Sequence, residues 1–234
     1  MAAFALSRQS GRVLHCLAAL LLAPPAGANL PHDTLYLNAC RSTCPLQPGA
    51  DDAVARRSSV LSQAVTVPPF AQPDSDFQQV QACLRQVFAR YDITVVSTDP
   101  GAQPRREVIV TTRPAVLGLP AGIAAVAPFY GLPRDNAIAF VFAAELATVQ
   151  EICEAAAQQL GVLYGLDLVT AAPDIMAYAA YAGRKQFTDS EAPCGEYTPR
   201  ACATQAGGNT QNSHARLSQI PGRVDVIFRS SLDW

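Results

Sequence analysis

Histidine is scarce in this chain of 234 residues, which contains only His15, His32 and His214. We expect His15 to be removed with an N-terminal leader, and the other two histidines lie far apart in the sequence. A site that needs a cluster of histidines, such as a three-histidine metal centre, is therefore excluded whatever the alignment. A serine–histidine pair at Ser213 and His214 is also disfavoured, because neighbouring residues on a helix point apart.

Charged residues are few as well, at 15% of the chain, and the formal net charge is −2. No cluster of lysine and arginine is present, so we do not expect nucleic acid as a partner. Half of the residues are apolar, which is enough for a core of substantial size and argues against disorder over most of the chain. P-loop, Rossmann, EF-hand and repeat patterns are absent from the sequence.

The apolar run near the start of the chain is too short to span a bilayer comfortably. Residues 13–23 follow Arg8 and Arg12 and precede Ala26-Gly27-Ala28, which is the order of a cleavable secretory leader. We expect residues 1–28 to be a signal peptide and the mature protein to be secreted or periplasmic, without a membrane span. A buried N-terminal helix and a lipid anchor at Cys16 are weaker alternatives.

The mature chain, residues 29–234, is predicted to form one domain with its core at about 35–220 and a tail at 221–234. Six of the seven cysteines belong to it, and an even number suits an oxidising compartment and three disulfides. They are Cys40, Cys44, Cys83, Cys153, Cys194 and Cys202. The first two and the last two can close small loops, and the middle pair would join two predicted helices, although the sequence alone does not choose a pairing. A thiolate metal site is the alternative, weakened by the absence of any C-x-x-C pair.

Strands and helices alternate along the mature chain, which predicts an α/β (α+β) fold. Strands are predicted at 34–38, 93–97, 107–112, 123–127 and 137–143, the fourth an edge strand and the last a fully apolar, buried one. Helices are predicted at 76–91, capped by Asp74 or Ser75, and at 146–164, ended by Gly165. A polar loop containing prolines is predicted over 45–73, and a further helix is expected near the end of the domain.

A glycine-centred motif spans the end of the second predicted helix. Residues 158–168 have the sequence Q-Q-L-G-V-L-Y-G-L-D-L, and Asp174, Met176 and Tyr178 follow within D-I-M-A-Y. This spacing resembles the motif H-E-x-x-H-x-x-G-x-x-H of the metzincin zinc metalloproteases, together with their Met-turn. The order of the predicted elements over 35–220 is similar to that family too, and the tail of the domain looks like that of secreted bacterial metzincin-like proteins.

Every metal-binding position of that motif is replaced in this chain. Gly165 remains, whereas Gln158, Val162 and Leu168 occupy the histidine positions and Gln159 occupies that of the catalytic glutamate. Valine and leucine have no lone pair, and a glutamine amide is neither a strong zinc ligand nor a base at neutral pH. The resemblance therefore implies a mixed twisted sheet with two long helices, a Met-turn and a C-terminal helix, in an inactive homologue that binds no zinc or other cofactor.

A glycine- and proline-rich segment over 121–136 is the candidate binding rim. It includes the predicted edge strand and two aromatic residues, and the residues proposed to line the rim are Ile123, Ala124, Ala125, Phe129 and Tyr130. In active relatives the edge strand binds an extended peptide by strand addition, which needs backbone groups but no zinc. We therefore expect a pseudopeptidase that binds a peptide or protein; the sequence does not set an oligomeric state.

Two other functions remain open. The protein would be a secreted structural domain if Val162 and Leu168 packed together and filled the cleft, with Gln158 and Gln159 on a solvated helix face. It would be a hydrolase if an unrecognised site existed. Glu151 and Glu154, one helical turn apart, are the acid pair closest to such a site, but two glutamates on a helix are more typical of an exposed face.

Overall fold

A computed structural model describes residues 33–220, so the predicted leader at 1–28 and tail at 221–234 lie outside the described residues. The strands are β1 (Asp33–Asn38), β2 (Cys44–Pro48), β3 (Arg57–Ser58), β4 (Val65–Val67), β5 (Ile93–Val96), β6 (Arg106–Thr111), β7 (Ala125–Val126), β8 (Ala137–Phe142), β9 (Ala192–Pro193) and β10 (Thr210–Gln211). The α-helices are α1 (Asp74–Phe88), α2 (Val149–Leu163) and α3 (Ser213–Gln219).

The main sheet has five strands in the order β5-β1-β6-β8-β7. Neighbouring strands run parallel, except that β7 pairs antiparallel with β8 at one edge of the sheet. The two long helices, α1 and α2, contact each other and pack against one face of this sheet. The predicted fold class is confirmed: the protein is α+β, with a mixed sheet, two long helices and a short C-terminal helix.

Strand β8, which lies between β6 and the edge strand β7, is buried on both of its faces. Ala137, Ala139 and Val141 belong to the apolar cluster beneath the helices, and Ile138, Phe140 and Phe142 belong to a second cluster on the opposite face. Side chains alternate between the faces of a strand, so a strand covered on both sides needs apolar residues at every position. This explains why the run is fully apolar and confirms its assignment as a buried strand.

The first long helix begins two residues earlier than the sequence predicts. Pro73 occupies the N-cap position and makes no capping hydrogen bond with a side chain, while Asp74 and Asp76 lie in the first turn. The prediction that Asp74 or Ser75 caps the helix is therefore wrong. The carboxylates in the first turn instead interact favourably with the helix dipole.

The second long helix begins three residues later than predicted because Thr148 forms a capping box. The Thr148 hydroxyl accepts a hydrogen bond from the Glu151 backbone N–H at 3.1 Å, and the Glu151 carboxylate accepts one from the Thr148 N–H at 2.9 Å. This reciprocal pair fixes the first turn of α2 at Val149 and leaves Leu146 outside the helix. The carboxylate of Glu151 thus has a structural role at the helix terminus.

The segment predicted as a polar loop over 45–73 contains three short strands. They form a second sheet in the order β3-β2-β4, and apolar residues from this segment cover the second face of the main sheet. The buried members Leu46, Ala53, Leu61 and Val67 occur at irregular spacing. The sequence therefore carries no period that would have indicated the strands.

The edge strand is shorter than predicted, since only Ala125 and Val126 of the predicted 123–127 pair with β8.

All three predicted disulfides are present as the bridges Cys40–Cys44, Cys83–Cys153 and Cys194–Cys202. The middle bridge joins α1 to α2 across a sequence separation of 70 residues. Between residues 33 and 220, no helix is long and apolar enough to cross a membrane.

Candidate functional site

The chain reverses its direction at Gly165, directly after α2. Gly165 has a left-handed φ of +77°, and a Cβ atom there would lie 2.6 Å from the carbonyl carbon of Leu132. Both the backbone conformation and the close approach of the 132–133 segment therefore require glycine. The Leu166 N–H donates to the Gly161 oxygen at 2.9 Å, so the chain returns along α2 and brings Leu168 towards that helix.

The segment 174–178 forms a tight turn beneath α2. The buried carboxylate of Asp174 accepts hydrogen bonds from the Met176 N–H at 2.8 Å and from the Thr188 hydroxyl at 2.6 Å. Met176 is fully buried and lies so close to Gly161 of α2 that any side chain at position 161 would collide with its sulfur atom. Two of the three predicted turn residues, Asp174 and Met176, are thus structural, whereas Tyr178 is exposed.

Three of the four replaced motif positions line one cavity of about 470 Å³. They are Gln159, Val162 and Leu168. Gln158 does not join them, because its amide donates to the backbone oxygens of Ile175 at 2.9 Å and Ala177 at 3.4 Å. A solvated face is the wrong interpretation for Gln159, a residue that is only 7% exposed. Val162 and Leu168 pack against the core but leave the cavity between them and the sheet edge open.

The opposite wall of this cavity is formed by the sheet edge. Ala125, Val126 and Ala127 line it, with Phe129 at the rim, so two of the five predicted rim residues, Ala125 and Phe129, lie at the cavity. The other three lie elsewhere. Ile123 packs against the second apolar cluster, the Ala124 oxygen accepts the Phe142 N–H at 2.8 Å, and the Tyr130 hydroxyl donates to Asp51 at 2.6 Å.

A third wall comes from the loop closed by the Cys194–Cys202 bridge, which sequence reasoning did not connect with the site. Glu196 and Arg200 lie on this loop and line the cavity beside Asp167. The Arg200 guanidinium donates two hydrogen bonds to Asp167, at 2.7 and 2.8 Å, and two to Glu196, at 3.1 and 2.8 Å. The only signal in the sequence was the pair of charges enclosed between two nearby cysteines.

The carboxylates of this wall stay ionised. Burial by itself would raise the pKa of Asp167, but hydrogen bonds from Arg200 and from the Ala203 and Leu168 N–H groups outweigh it and lower the pKa below its usual value. Arg200 likewise lowers the pKa of Glu196. The resulting cluster has two negative charges and one positive charge, so this side of the cavity is mildly acidic.

Tyr178 keeps its phenol protonated at the mouth of the cavity. The partial burial of this half-exposed phenol, together with the charge of Glu196 and the proximity of Tyr197, raises its pKa above the usual value. The rings of Tyr178 and Tyr197 lie 5.9 Å apart, centroid to centroid, and both are exposed at the surface. The mouth is therefore bordered by the ring of Tyr178, with the ring of Tyr197 beside it, and offers aromatic contact area and a hydroxyl group.

The other residues considered for catalysis have separate structural partners. Glu151 caps α2, whereas the Glu154 carboxylate accepts hydrogen bonds from Gln150 at 2.7 Å and from the Lys185 N–H at 3.1 Å. His214 lies 2.8 Å from the Tyr91 hydroxyl, and Ser213 accepts a hydrogen bond from Gln211 at 3.2 Å. Neither pair shares the geometry of a catalytic dyad.

One group of potential metal ligands lies close together among residues 33–220, and it consists of Asp167, Cys194 and Cys202. The two sulfur atoms are bonded to each other in a disulfide. They are therefore not available as thiolates, the form in which cysteine binds metals, and Asp167 is already engaged by Arg200. This group does not make a metal site.

The sequence matches no model of a known protein family and none of the curated proteins. The geometry of the cleft is therefore the main guide to its function.

Proposed function

We propose that this chain is an exported, catalytically inactive homologue of a metzincin-type zinc metalloprotease that binds an extended peptide or protein segment in its cleft. The observation that carries the proposal is that the edge strand β7 and three of the replaced motif positions line the same open cavity. The retained glycine turn at Gly165 and the turn that buries Met176 support the relationship, because both occur at the spacing of the motif.

The proposal of inactivity rests on the chemistry of the replaced side chains. Val162 and Leu168 have no atom that binds a metal ion, and Gln158 uses its amide to hold the 174–178 turn. Gln159 stands in the position of the general base but carries no basic group at neutral pH. A water molecule in this cleft would therefore be activated neither by zinc nor by a carboxylate at position 159.

The proposal of peptide binding rests on the open edge of β7. This strand has a hydrogen-bonded neighbour on one side only. The Phe142 N–H donates to the Ala124 oxygen, so the backbone groups of Ala124 point towards β8. In an antiparallel pair the N–H and C=O groups of successive residues point alternately towards and away from the partner strand, so those of Ala125 point away from β8. An extended peptide would bind to these groups by strand addition, and the cavity volume falls within the range of ligand sites, roughly 300–1,000 Å³.

Export is the second part of the proposal. Three disulfides fit an oxidising compartment such as the periplasm or the extracellular space, and the predicted leader at 1–28 would direct the chain there. Mass determination of the mature protein from the host would test the cleavage, which we expect after Ala28.

A proline scan of β7 tests the binding mode. The probe is a library of N-acetylated, C-amidated octapeptides, from which the tightest binder of the wild-type protein is taken. Ala125→Pro removes a backbone donor that points to the open edge, so it should weaken binding at nearly unchanged thermal stability. Val126→Pro, the matched control, removes a donor on the side of β8 and should lower the melting temperature. Unchanged affinity of Ala125→Pro would contradict strand addition, and a library without any binder would contradict the proposed function.

A further inference from the structure

We infer that Gln159 is the specificity residue of the cleft and forms paired hydrogen bonds with the N–H and C=O of one residue of a bound, uncharged, extended segment. This inference rests on the proposed function and adds the ligand class and the residue that recognises it. In the motif, position 159 would hold the catalytic carboxylate. In this chain the amide of Gln159 binds the peptide backbone there without cleaving it.

The Gln159 side chain is largely buried and makes few hydrogen bonds. It is more than nine-tenths buried and lines the cavity. Its amide nitrogen makes one long contact, 3.4 Å to the Gln158 oxygen, and its Oε1 atom accepts no hydrogen bond from any side chain or backbone group of residues 33–220. Gln159 Oε1 is not one of the buried atoms without a partner, so it is open to the cavity. A ligand that supplied a donor to this oxygen and an acceptor to the amide nitrogen would replace water at both atoms.

The charged side chains that line the cavity disfavour an anionic ligand. Arg200 is the only cationic side chain that lines the cavity, and its five N–H groups are all used by Asp167, Glu196 and the Ala201 oxygen. A ligand carboxylate would find no free donor on it and would meet the negative charge of Glu196. A free C-terminus or an acidic side chain is therefore a poor ligand for this cavity.

The two walls of the cavity together fit an extended peptide segment. A primary amide presents a donor and an acceptor in one plane, and one residue of an extended segment offers the complementary C=O and N–H on the same side. A segment extended beside β7 would bond to the Ala125 backbone on one side and present peptide groups towards α2 on the other. The cavity wall formed by Val162, Leu166 and Leu168 would then receive one apolar side chain of the segment. The occupant is an internal, uncharged peptide segment with an apolar residue at its centre.

Substitution at position 159 tests the inference with the octapeptide selected above. Gln159→Leu keeps the approximate size of the side chain and removes both polar atoms, and it should weaken binding about tenfold. Gln159→Glu keeps an acceptor but loses the donor and adds a charge, and it should weaken binding as well. Gln79→Leu, on the exposed surface of α1, is the matched control for a glutamine-to-leucine change in a helix and should bind like the wild type. Thermal melts show whether each variant is folded.

An ester scan of the octapeptide separates recognition from a structural effect. Replacing one backbone N–H at a time by an ester oxygen should identify a position at which the loss weakens binding to the wild type but not to Gln159→Leu. Equal sensitivity of both proteins at every position, or full affinity of Gln159→Leu, would overturn the role of Gln159. In that case a loss of binding in Ala125→Pro would still support the proposed function, so the two failures are distinguishable.

Discussion

The ion pair between Arg200 and Asp167 should be the strongest single support of the cleft wall. Asp167 is 3% exposed and receives two hydrogen bonds from the guanidinium. Arg200→Met keeps the aliphatic stem but leaves this buried carboxylate with only the Ala203 and Leu168 N–H groups. Removing one partner of a buried pair costs about 3–5 kcal/mol. Because Arg200 is 34% exposed and two backbone donors remain, we expect a loss near the lower limit, about 3 kcal/mol.

Urea unfolding at neutral pH measures this loss, and two variants serve as controls. Glu196→Gln removes the partner that is 43% exposed and should cost less than about 1 kcal/mol. The double variant Asp167→Asn/Arg200→Met should recover part of the stability, because no charge is left buried without a partner. A loss below about 1 kcal/mol in Arg200→Met would refute the reasoning.

The pH dependence gives an independent check on the same pair. Because the pKa of Asp167 is lowered in the folded protein, its contribution to stability is complete above the pKa of an unfolded aspartate, about 4. The contribution is lost as the pH falls through the lower pKa of the folded state. Arg200→Met should therefore lose less stability than the wild type on acidification, and equal acid sensitivity of the two proteins would contradict the assignment.

The Cys83–Cys153 bridge encloses the longest loop of the three, with a separation of 70 residues. Cys83→Ala/Cys153→Ala should therefore lower the unfolding free energy by about 4 kcal/mol, against roughly 2 kcal/mol for Cys40→Ala/Cys44→Ala. Equal losses of the two variants in urea unfolding would contradict this order. Elemental analysis after dialysis against trace zinc should find no stoichiometric zinc, because Val162 and Leu168 have no atom that binds a metal ion. One tightly bound zinc per wild-type chain would refute the pseudoenzyme proposal. Gly161→Ala should destabilise the protein by about 1–3 kcal/mol, because the added methyl group collides with the Met176 side chain. In a thermal melt, Gly161→Ala should lower the melting temperature less in a Met176→Ala background than in the wild type.

Local patterns in the sequence were sufficient for most of the fold. The apolar run of β8 needed only its composition, the end of α2 needed only Gly165, and the sequence positions of the six cysteines agreed with the pairing observed. Each of these signals is contained within one element or follows from its immediate neighbours. The apolar period includes Leu146 and so places the start of α2 three residues too early, whereas the capping box at Thr148 begins the helix at Val149.

The parts that the sequence did not predict depend on contacts between distant residues. The strands over 44–67 are set by pairing with one another and by the second face of the main sheet, and no period marks them. The pair of Asp167 and Arg200 spans 33 positions. Gln158 and Gln159 are adjacent and identical in chemistry, yet one holds a turn and the other faces the cavity, because successive side chains on a helix project in different directions.

The most direct test of peptide binding without metal is hydrogen exchange of the β7 amides while the selected octapeptide is added in the presence of a zinc chelator. The account predicts that the octapeptide binds and that the Ala125 N–H, which points to the open edge, exchanges more slowly in the complex. Binding that requires zinc, or a saturated complex in which the Ala125 N–H exchanges as fast as in the free protein, would contradict it.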